Sequence, residues 1–263
     1  MREPLAAVVT AGGRVARTQF PAADLPEGIE SEGDLLPKAL LQVDGRTLLE
    51  RVLEAVRATG RAERIVVVGA ASLQRWLRSP AETLLPEHAE AHENLLVGLQ
   101  AVAHYPRALY LTSDLPFVTA EAICRFLEAC PEEAQLCYAI ARREAFDARF
   151  PNSPSVYARM KDGEWLAGCA MLIDPSALLQ RAEWVRRVAQ RRKSLWQLAM
   201  LAGWGVLWRF ATRQLTVADV ERRAEQLLGI HCRAVECAPE LAYDVDTPQE
   251  YEYARRLADG GAG

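Results

Sequence analysis

The sequence predicts an α/β fold, a mostly parallel sheet covered by helices on both faces, and three observations carry that expectation. Apolar, β-rich runs alternate with helix-patterned segments for most of the chain, the pattern of parallel strands joined by crossover helices. The 263 residues suffice to bury one sizeable core, so a single domain spanning residues 1–263, with an elaboration, is expected in preference to two independent domains. Half of the residues are hydrophobic and a quarter are charged, as in an ordinary globular protein.

The first strand is expected at Leu5–Thr10, followed by the glycine pair Gly12-Gly13. Residues 14–36 show no apolar period and are rich in Pro, Gly, Glu and Asp, so they read as a long functional loop, a lid over a bound ligand. Thr47-Leu48-Leu49-Glu50 has the Thr-x-x-Glu form of a capping box and opens a helix whose Leu48, Val52, Ala55 and Val56 share a face, ending at Gly60. Further strands are expected at Arg64–Gly69, Ala108–Thr112 and Gln135–Ile140, with crossover helices at Glu93–Ala103 and Thr119–Cys130. The second of these helices begins with a capping Thr119 and has Glu121 in its first turn.

After residue 150 the pattern changes. Ser155–Met160 and Glu164–Ile173 flank Lys161-Asp162-Gly163, and Asp-Gly between alternating runs predicts a hairpin. A helix-rich elaboration at about 175–229 holds four of the six tryptophans, Trp184, Trp196, Trp204 and Trp208. His231–Cys237 reads as a returning strand. Thr247-Pro248-Gln249-Glu250 opens the last helix with a capping Thr, Pro at the first helical position and Glu closing the box.

Composition excludes several function classes. A net charge of −4 gives no electrostatic case for nucleic acid or an anionic membrane as partner, so phosphate recognition must be local. Met1-Arg2-Glu3-Pro4 leads straight into a strand and lacks secretory features, from which a cytoplasmic location is expected. The apolar stretch from Leu195 to Trp208 contains Gln197 and two glycines and falls short of the roughly 20 residues of a membrane span. That stretch is expected to be buried in the domain or against a second subunit, making a homodimer through it a possible assembly. Cys124, Cys130, Cys137, Cys169, Cys232 and Cys237 are scattered with no Cys-x-x-Cys pair and read as reduced core thiols.

Chemistry enters at the end of the first strand. Ala11-Gly12-Gly13 presents bare backbone N–H groups, because glycine allows close approach and positive φ. A phosphate-binding loop and a tight turn are both compatible with those residues alone; Arg14, Arg17 and Lys38 are the nearby cations. Asp114 follows a nearly continuous apolar strand, where open α/β sheets place ligands, and Asp244 and Asp246 stand just before the final helix. One of these two late aspartates is expected to face a metal and the other to support the helix cap. His88 and His92, four apart in an acidic context, read as a solvated surface pair rather than metal ligands. Arg191-Arg192-Lys193 reads as a solvated basic face or as a contact for an anionic acceptor.

Four segments, in order, carry a resemblance: Leu5 to Arg14, Pro37-Lys38-Ala39-Leu40-Leu41, Thr112-Ser113-Asp114-Leu115-Pro116, and Asp244-Val245-Asp246-Thr247-Pro248. Together they resemble the MobA-like nucleotidyltransferases, relatives of the molybdenum-cofactor guanylyl- and cytidylyltransferases, over residues 5–140 and 231–258. The resemblance implies a three-layer α/β/α, Rossmann-like fold of the nucleotide-diphospho-sugar transferase type. It also implies Mg²⁺-dependent transfer of a nucleotidyl group from an NTP to a small phosphorylated acceptor, with pyrophosphate released. Carried onto this chain, it makes Ala11, Gly12, Gly13, Arg14, Arg17 and Lys38 the phosphate cradle, Lys38 and Asp114 catalytic, and Asp114, Asp244 and Asp246 the metal ligands. Asn94 resembles the helix start that faces base and ribose, although an Asn there also reads as a helix cap.

The chain departs from the pattern in having Thr10 for a usual Leu, a later Lys because the loop is longer, and Cys169 where the related sequences carry Asn, which removes an amide donor. Two rival readings are a glycosyltransferase of the same fold, which needs Asp-x-Asp where this chain has Asp114-Leu115-Pro116, and a nucleotide-sensing protein without turnover.

Overall fold

The computed structural model describes residues 4–20, 25–26, 35–191 and 204–260. In chain order the strands are β1 (Leu5–Thr10), β2 (Arg14–Ala16), β3 (Leu35–Pro37), β4 (Gln42–Val43), β5 (Arg46–Thr47), β6 (Ala62–Gly69), β7 (Glu82–Pro86), β8 (Arg107–Thr112), β9 (Leu136–Arg142), β10 (Ala158–Met160), β11 (Gly163–Ile173) and β12 (Cys232–Glu236). The described helices are α1 (Leu48–Ala58), α2 (Ala91–Ala101), α3 (Ala120–Ala129), α4 (Arg143–Arg149), α5 (Pro175–Leu179), α6 (Ala182–Arg191), α7 (Trp204–Ala211), α8 (Val217–Leu228) and α9 (Pro248–Gly260).

An eight-stranded sheet runs in the order β12-β9-β11-β8-β1-β6-β7, with β10 paired to β11. Strand periodicity divides it into two packed faces. Ala7 and Val9 of β1 join one core with Leu49, Val52 and Phe126, while Ala6 and Val8 join the other with Leu95, Leu99 and Leu178. Helices α1 and α3 therefore cover one face and α2 and α5 the other, the three-layer arrangement that the alternating pattern predicts. The expected caps form as well. The Thr47 hydroxyl accepts the Glu50 N–H at 3.1 Å and the Glu50 carboxylate accepts the Thr47 N–H at 3.0 Å, while Thr119 caps α3 through the Ala122 N–H.

Three features differ from the sequence reading. First, β11 pairs with β10 as a hairpin, as expected, but it also inserts between β8 and β9, antiparallel to both, so the sheet is mixed. An 11-residue strand reaches far past its hairpin partner, and hairpin logic alone does not say what lies along its other edge. Second, β7 went unrecognised because its short run carries a Glu and ends in Pro86, features admissible at the sheet edge that β7 occupies. Third, the two ends of the long loop form an antiparallel ribbon, with Arg14 opposite Pro37. Of the lid expected over residues 14–36, positions 21–24 and 27–34 lie outside the described residues.

In the helix-rich elaboration, Arg192, Lys193 and Trp196 also lie outside the described residues. Trp208 and Phe210 of α7 are 72% and 48% exposed, so this part of the tryptophan-rich block is not buried in the domain as one arm of the expectation had it. No described helix is long and apolar enough to cross a membrane.

The edge strand is tied to α1 by charge. The Glu82 carboxylate, 2% exposed, accepts Arg57 Nε–H at 2.7 Å, Arg57 Nη2–H at 2.8 Å and the Arg78 backbone N–H at 2.6 Å. Burial pushes the Glu82 carboxyl up, but the Arg57 bonds outweigh it and hold it below the usual 4.5. Replacing Arg57 with Ala strands a buried carboxylate, and the expected loss is about 3 kcal/mol in denaturant unfolding at neutral pH. Because the folded-state pKa is depressed, this contribution is present above the unfolded value and vanishes as pH falls through the folded one. The gap between wild type and Arg57→Ala should therefore narrow below about pH 4.5.

Candidate active site

The C-terminal ends of the parallel strands gather the predicted segments at one edge of the sheet. After β1, the Ala11 N–H still bonds to the Val68 carbonyl of β6 at 2.8 Å, and the chain then leaves the sheet through Gly12 and Gly13. Gly13 has φ +109°, a conformation that L side chains rarely adopt. A Cβ on Gly12 would stand 2.8 Å from a Glu87 carboxylate oxygen and 2.9 Å from the Asn94 amide nitrogen. Both glycines are thus required, one by its torsion and the other by its neighbours.

The β2–β3 ribbon begins directly after Gly13 and ends directly before Lys38, whose N–H donates to the Gly13 carbonyl at 3.2 Å. The late position of this lysine is accommodated by folding the extra residues out along an antiparallel ribbon. From the first position of a 3₁₀ turn, Lys38–Leu40, its side chain reaches inward. The ammonium donates to Asp114 Oδ2 at 2.6 Å and also to Asp246 Oδ1, and it is only 14% exposed, unlike a solvated surface lysine. Burial works to lower the Lys38 pKa, but the charges of Asp114 and Asp246 overcome it and hold the ammonium above the usual lysine range.

Asp114 follows β8, where the Ser113 N–H donates to the Thr10 carbonyl at 3.0 Å. Its own carbonyl accepts the N–H of Val245 at 3.1 Å, which clamps the segment before α9 across the end of the sheet. Glu250 of α9 fixes the next residues by accepting the N–H groups of Asp246 at 2.8 Å and Thr247 at 2.7 Å. The capping expected of Glu250 is therefore present and extends to the backbone of Asp246.

Carboxylate oxygens of Asp114, Asp244 and Asp246 lie within 4.8 Å of one another. This corrects the expectation that only one late aspartate faces the centre. Residues i and i+2 of an extended segment share a face, while the intervening Val245, fully buried, packs to the other side. Burial, then the charges of Asp114 and Asp246, push the Asp244 carboxyl up to about 7, with Lys38 offsetting only part of that. Asp114 Oδ1 is buried and has no hydrogen-bond partner. An orphan oxygen among crowded carboxylates suits a hard divalent cation, which takes oxygen ligands and relieves the repulsion.

The other predicted residues are placed differently. Arg14 pairs with Glu87 at 2.7 Å beside the glycine loop, while Arg17 lies exposed in the turn after β2. Asn94 is buried but does not cap α2. Its Oδ1 accepts the His88 N–H at 2.6 Å and its amide donates to the His88 carbonyl at 3.2 Å, so it holds the turn after β7 against Gly12. His92 packs beside Glu93 and Glu90 rather than standing solvated, and the carboxylate centre includes no histidine. Glu87 was missed in the sequence because β7 was missed. The signal available was a Pro-Glu pair closing a short apolar run, opposite the glycine loop only once the strand order is known.

Cys169 sits in an irregular stretch of β11, where the pairing to β9 shifts register between Ala167 and Met171. Gly168 permits this, since a Cβ there would meet the Ala139 carbonyl oxygen at 2.8 Å. Burial, then the charges of Asp244 and Asp114, push the Cys169 thiol well above its usual range, so a neutral thiol borders the carboxylate centre where an amide was the alternative.

Comparison with the curated proteins returns no match. Among solved structures, a hypothetical transferase from Thermus thermophilus is 35% identical, with a TM-score of 0.79 over 95% of this chain and 100% of its own. A 2-C-methyl-D-erythritol 4-phosphate cytidylyltransferase, also from Thermus thermophilus, is 20% identical, TM-score 0.57, covering 97% of this chain and 99% of its own. A nucleotidyl transferase from Methanothermobacter thermautotrophicus is 17% identical, TM-score 0.56, covering 98% and 99%. The last two show a common fold. The family described as the MobA-like NTP transferase domain matches residues 7–199, and with the glycine loop, lysine and strand-end aspartates in place this chain belongs to that family of nucleotidyltransferases.

Proposed function

We propose that this protein transfers a nucleotidyl group from an NTP to a small phosphorylated acceptor, with Mg²⁺ bound and pyrophosphate released. The observation that carries this reading is the meeting of Lys38, Asp114, Asp244 and Asp246 beside a glycine loop whose N–H groups have no Cβ in front of them. In the reaction, an ionised oxygen of the acceptor phosphate forms a bond to the α-phosphorus. The bond from that phosphorus to the oxygen bridging it to the β-phosphate breaks, and the electron pair leaves with pyrophosphate. No proton needs to be removed from the attacking oxygen, so the protein contributes alignment and charge neutralisation.

The backbone of Ala11, Gly12 and Gly13, with Arg14 and Arg17, cradles the triphosphate. Arg14 is held ready by Glu87. Lys38 exchanges its carboxylate partners for phosphate oxygens as the nucleotide enters. Asp114, Asp244 and Asp246 would hold Mg²⁺, which when bound offsets charge on the phosphates. Asn94 shapes the nucleotide-side wall through His88 and Gly12, since both ends of its amide are already engaged. The glycosyltransferase alternative lacks its second Asp at the strand end, where this chain has the buried Pro116. Turnover itself separates the enzyme from a non-catalytic nucleotide sensor.

Pyrophosphate release, measured with each NTP in turn against a panel of phosphorylated acceptors, tests the assignment as a whole. Asp114→Asn should reduce turnover by about a hundredfold or more while leaving the unfolding midpoint close to wild type; normal turnover by that variant contradicts the mechanism. Asp244→Asn has a double signature. Removing one of three crowded carboxylates should raise the thermal midpoint of the metal-free protein while weakening Mg²⁺ binding in calorimetry. Gly13→Val forces a β-branched residue to positive φ and should weaken NTP affinity at least tenfold with the sheet intact by circular dichroism.

A homodimer through α7 would cover Trp208 and Phe210. It predicts concentration-dependent sedimentation that Trp208→Glu abolishes.

A further inference from the structure

A cavity of about 360 Å³ opens between α8 and the sheet. Its walls include Leu136, Tyr138 and Ile140 of β9, Ala167 of β11, and Val220 and Ala224 of α8. The two charged residues that also border it spend their charge on the protein itself. Glu221 accepts the Ala234 N–H at 2.7 Å and Arg233 donates to Glu225 at 2.6 Å. What remains facing the space is hydrocarbon and ring. Tyr138 and Val220, 38% and 40% exposed, are two of the few large apolar side chains left open to solvent among the described residues, and both lie on this cavity. A cavity of this size with an almost wholly apolar lining holds water poorly and an apolar ligand well.

Its position relates it to the chemistry. Strand β11 runs antiparallel to β8 with Ala170 opposite Leu111, so Cys169 and Ala167 at the cavity wall lie toward the end of β8 that leads into Asp114. Tyr138, on the neighbouring strand, stands opposite Met171 of β11, which in turn faces Tyr110 of β8. One end of the cavity therefore adjoins the carboxylate centre, on the flank away from the glycine loop, because β11, β9 and β12 lie on one side of β8 while β1 and β6 lie on the other. An NTP held by the glycine loop leaves this flank for the second substrate.

We infer that the cavity between α8 and the sheet binds the apolar body of the acceptor, whose phosphate projects to the carboxylate centre. The acceptor class is then a monophosphate ester of a hydrocarbon or aromatic group rather than of a sugar. This inference rests on the nucleotidyl-transfer reading for the phosphate end and on the cavity alone for the apolar end. The transfer would join the acceptor phosphate oxygen to the α-phosphorus and expel pyrophosphate, giving a diphosphate that bridges nucleoside and hydrocarbon.

The test uses ethyl, butyl and octyl phosphate as probes, with a sugar monophosphate for contrast. With Mg²⁺ and the preferred NTP, the acceptor KM should fall about fourfold per added methylene until the cavity is filled. Ala167→Trp, at an exposed alanine of the wall, should raise KM for octyl phosphate at least tenfold while leaving KM for NTP unchanged. Ala224→Phe, on the opposite wall, should act in the same way and serves if the first variant folds poorly. Calorimetry of octyl phosphate with the full chain separates the two claims. Binding that both variants abolish, with no NTP turned over, sustains the cavity and overturns the transfer reaction. Equal binding of ethyl and octyl phosphate, octyl binding indifferent to both variants, or preference for the sugar phosphate overturns the cavity assignment whatever the turnover.

Discussion

Three carboxylates and one ammonium share the end of the sheet, and the surrounding structure is what makes that crowding tolerable. Burial, and after it the charges of Asp114 and Asp246, push the Asp244 carboxyl up to about 7. Lys38 bridges two of the three carboxylates, and the backbone bond from Val245 to Asp114 keeps the third segment from swinging away. Each of these contacts is long-range in sequence, so the centre exists only when β1, β8 and the segment before α9 have all docked. A site whose charges are balanced by one lysine is also one that a cation and a triphosphate complete rather than disrupt.

The glycine loop depends on the same docking from the other side. Its torsion at Gly13 is local, but the reason Gly12 tolerates no side chain is Glu87 and Asn94, which arrive from the turn after β7 and from α2. Asn94 spends both ends of its amide on the His88 backbone and so acts as a brace. Glu87 then has two tasks, packing over Gly12 and orienting Arg14. The ribbon formed by β2 and β3 explains why the distance in sequence from glycines to lysine matters little, because an antiparallel pair returns the chain to its starting point whatever the length between.

Strand β11 shapes the other flank. Inserted antiparallel between β8 and β9, it places a glycine-permitted irregularity and a half-buried thiol beside the carboxylates. It also supplies part of the floor of the apolar cavity under α8. The helix-rich elaboration thus bears on the site through the sheet, since α8 forms the cavity's other wall, while α9, beyond it, presents Asp246 through Glu250.

The sequence by itself determined the α/β class, most strand and helix positions and the caps at Thr47, Thr119 and Thr247, and it singled out the glycine loop, Lys38 and the three aspartates that the fold brings together. These are local signals: periodicity, hydrogen-bonding side chains at helix starts, and residues whose chemistry is unusual at a strand end. It did not reveal β7, the insertion of β11, Glu87, the shared face of Asp244 and Asp246, or the bonds that tie Asn94 to the His88 backbone. Only the tertiary structure decided those, because each depends on which segments become neighbours across the sheet. Edge pairing at β7, the far side of an 11-residue strand, and the partner of a buried amide are relations between distant residues, and no periodicity within either segment encodes them.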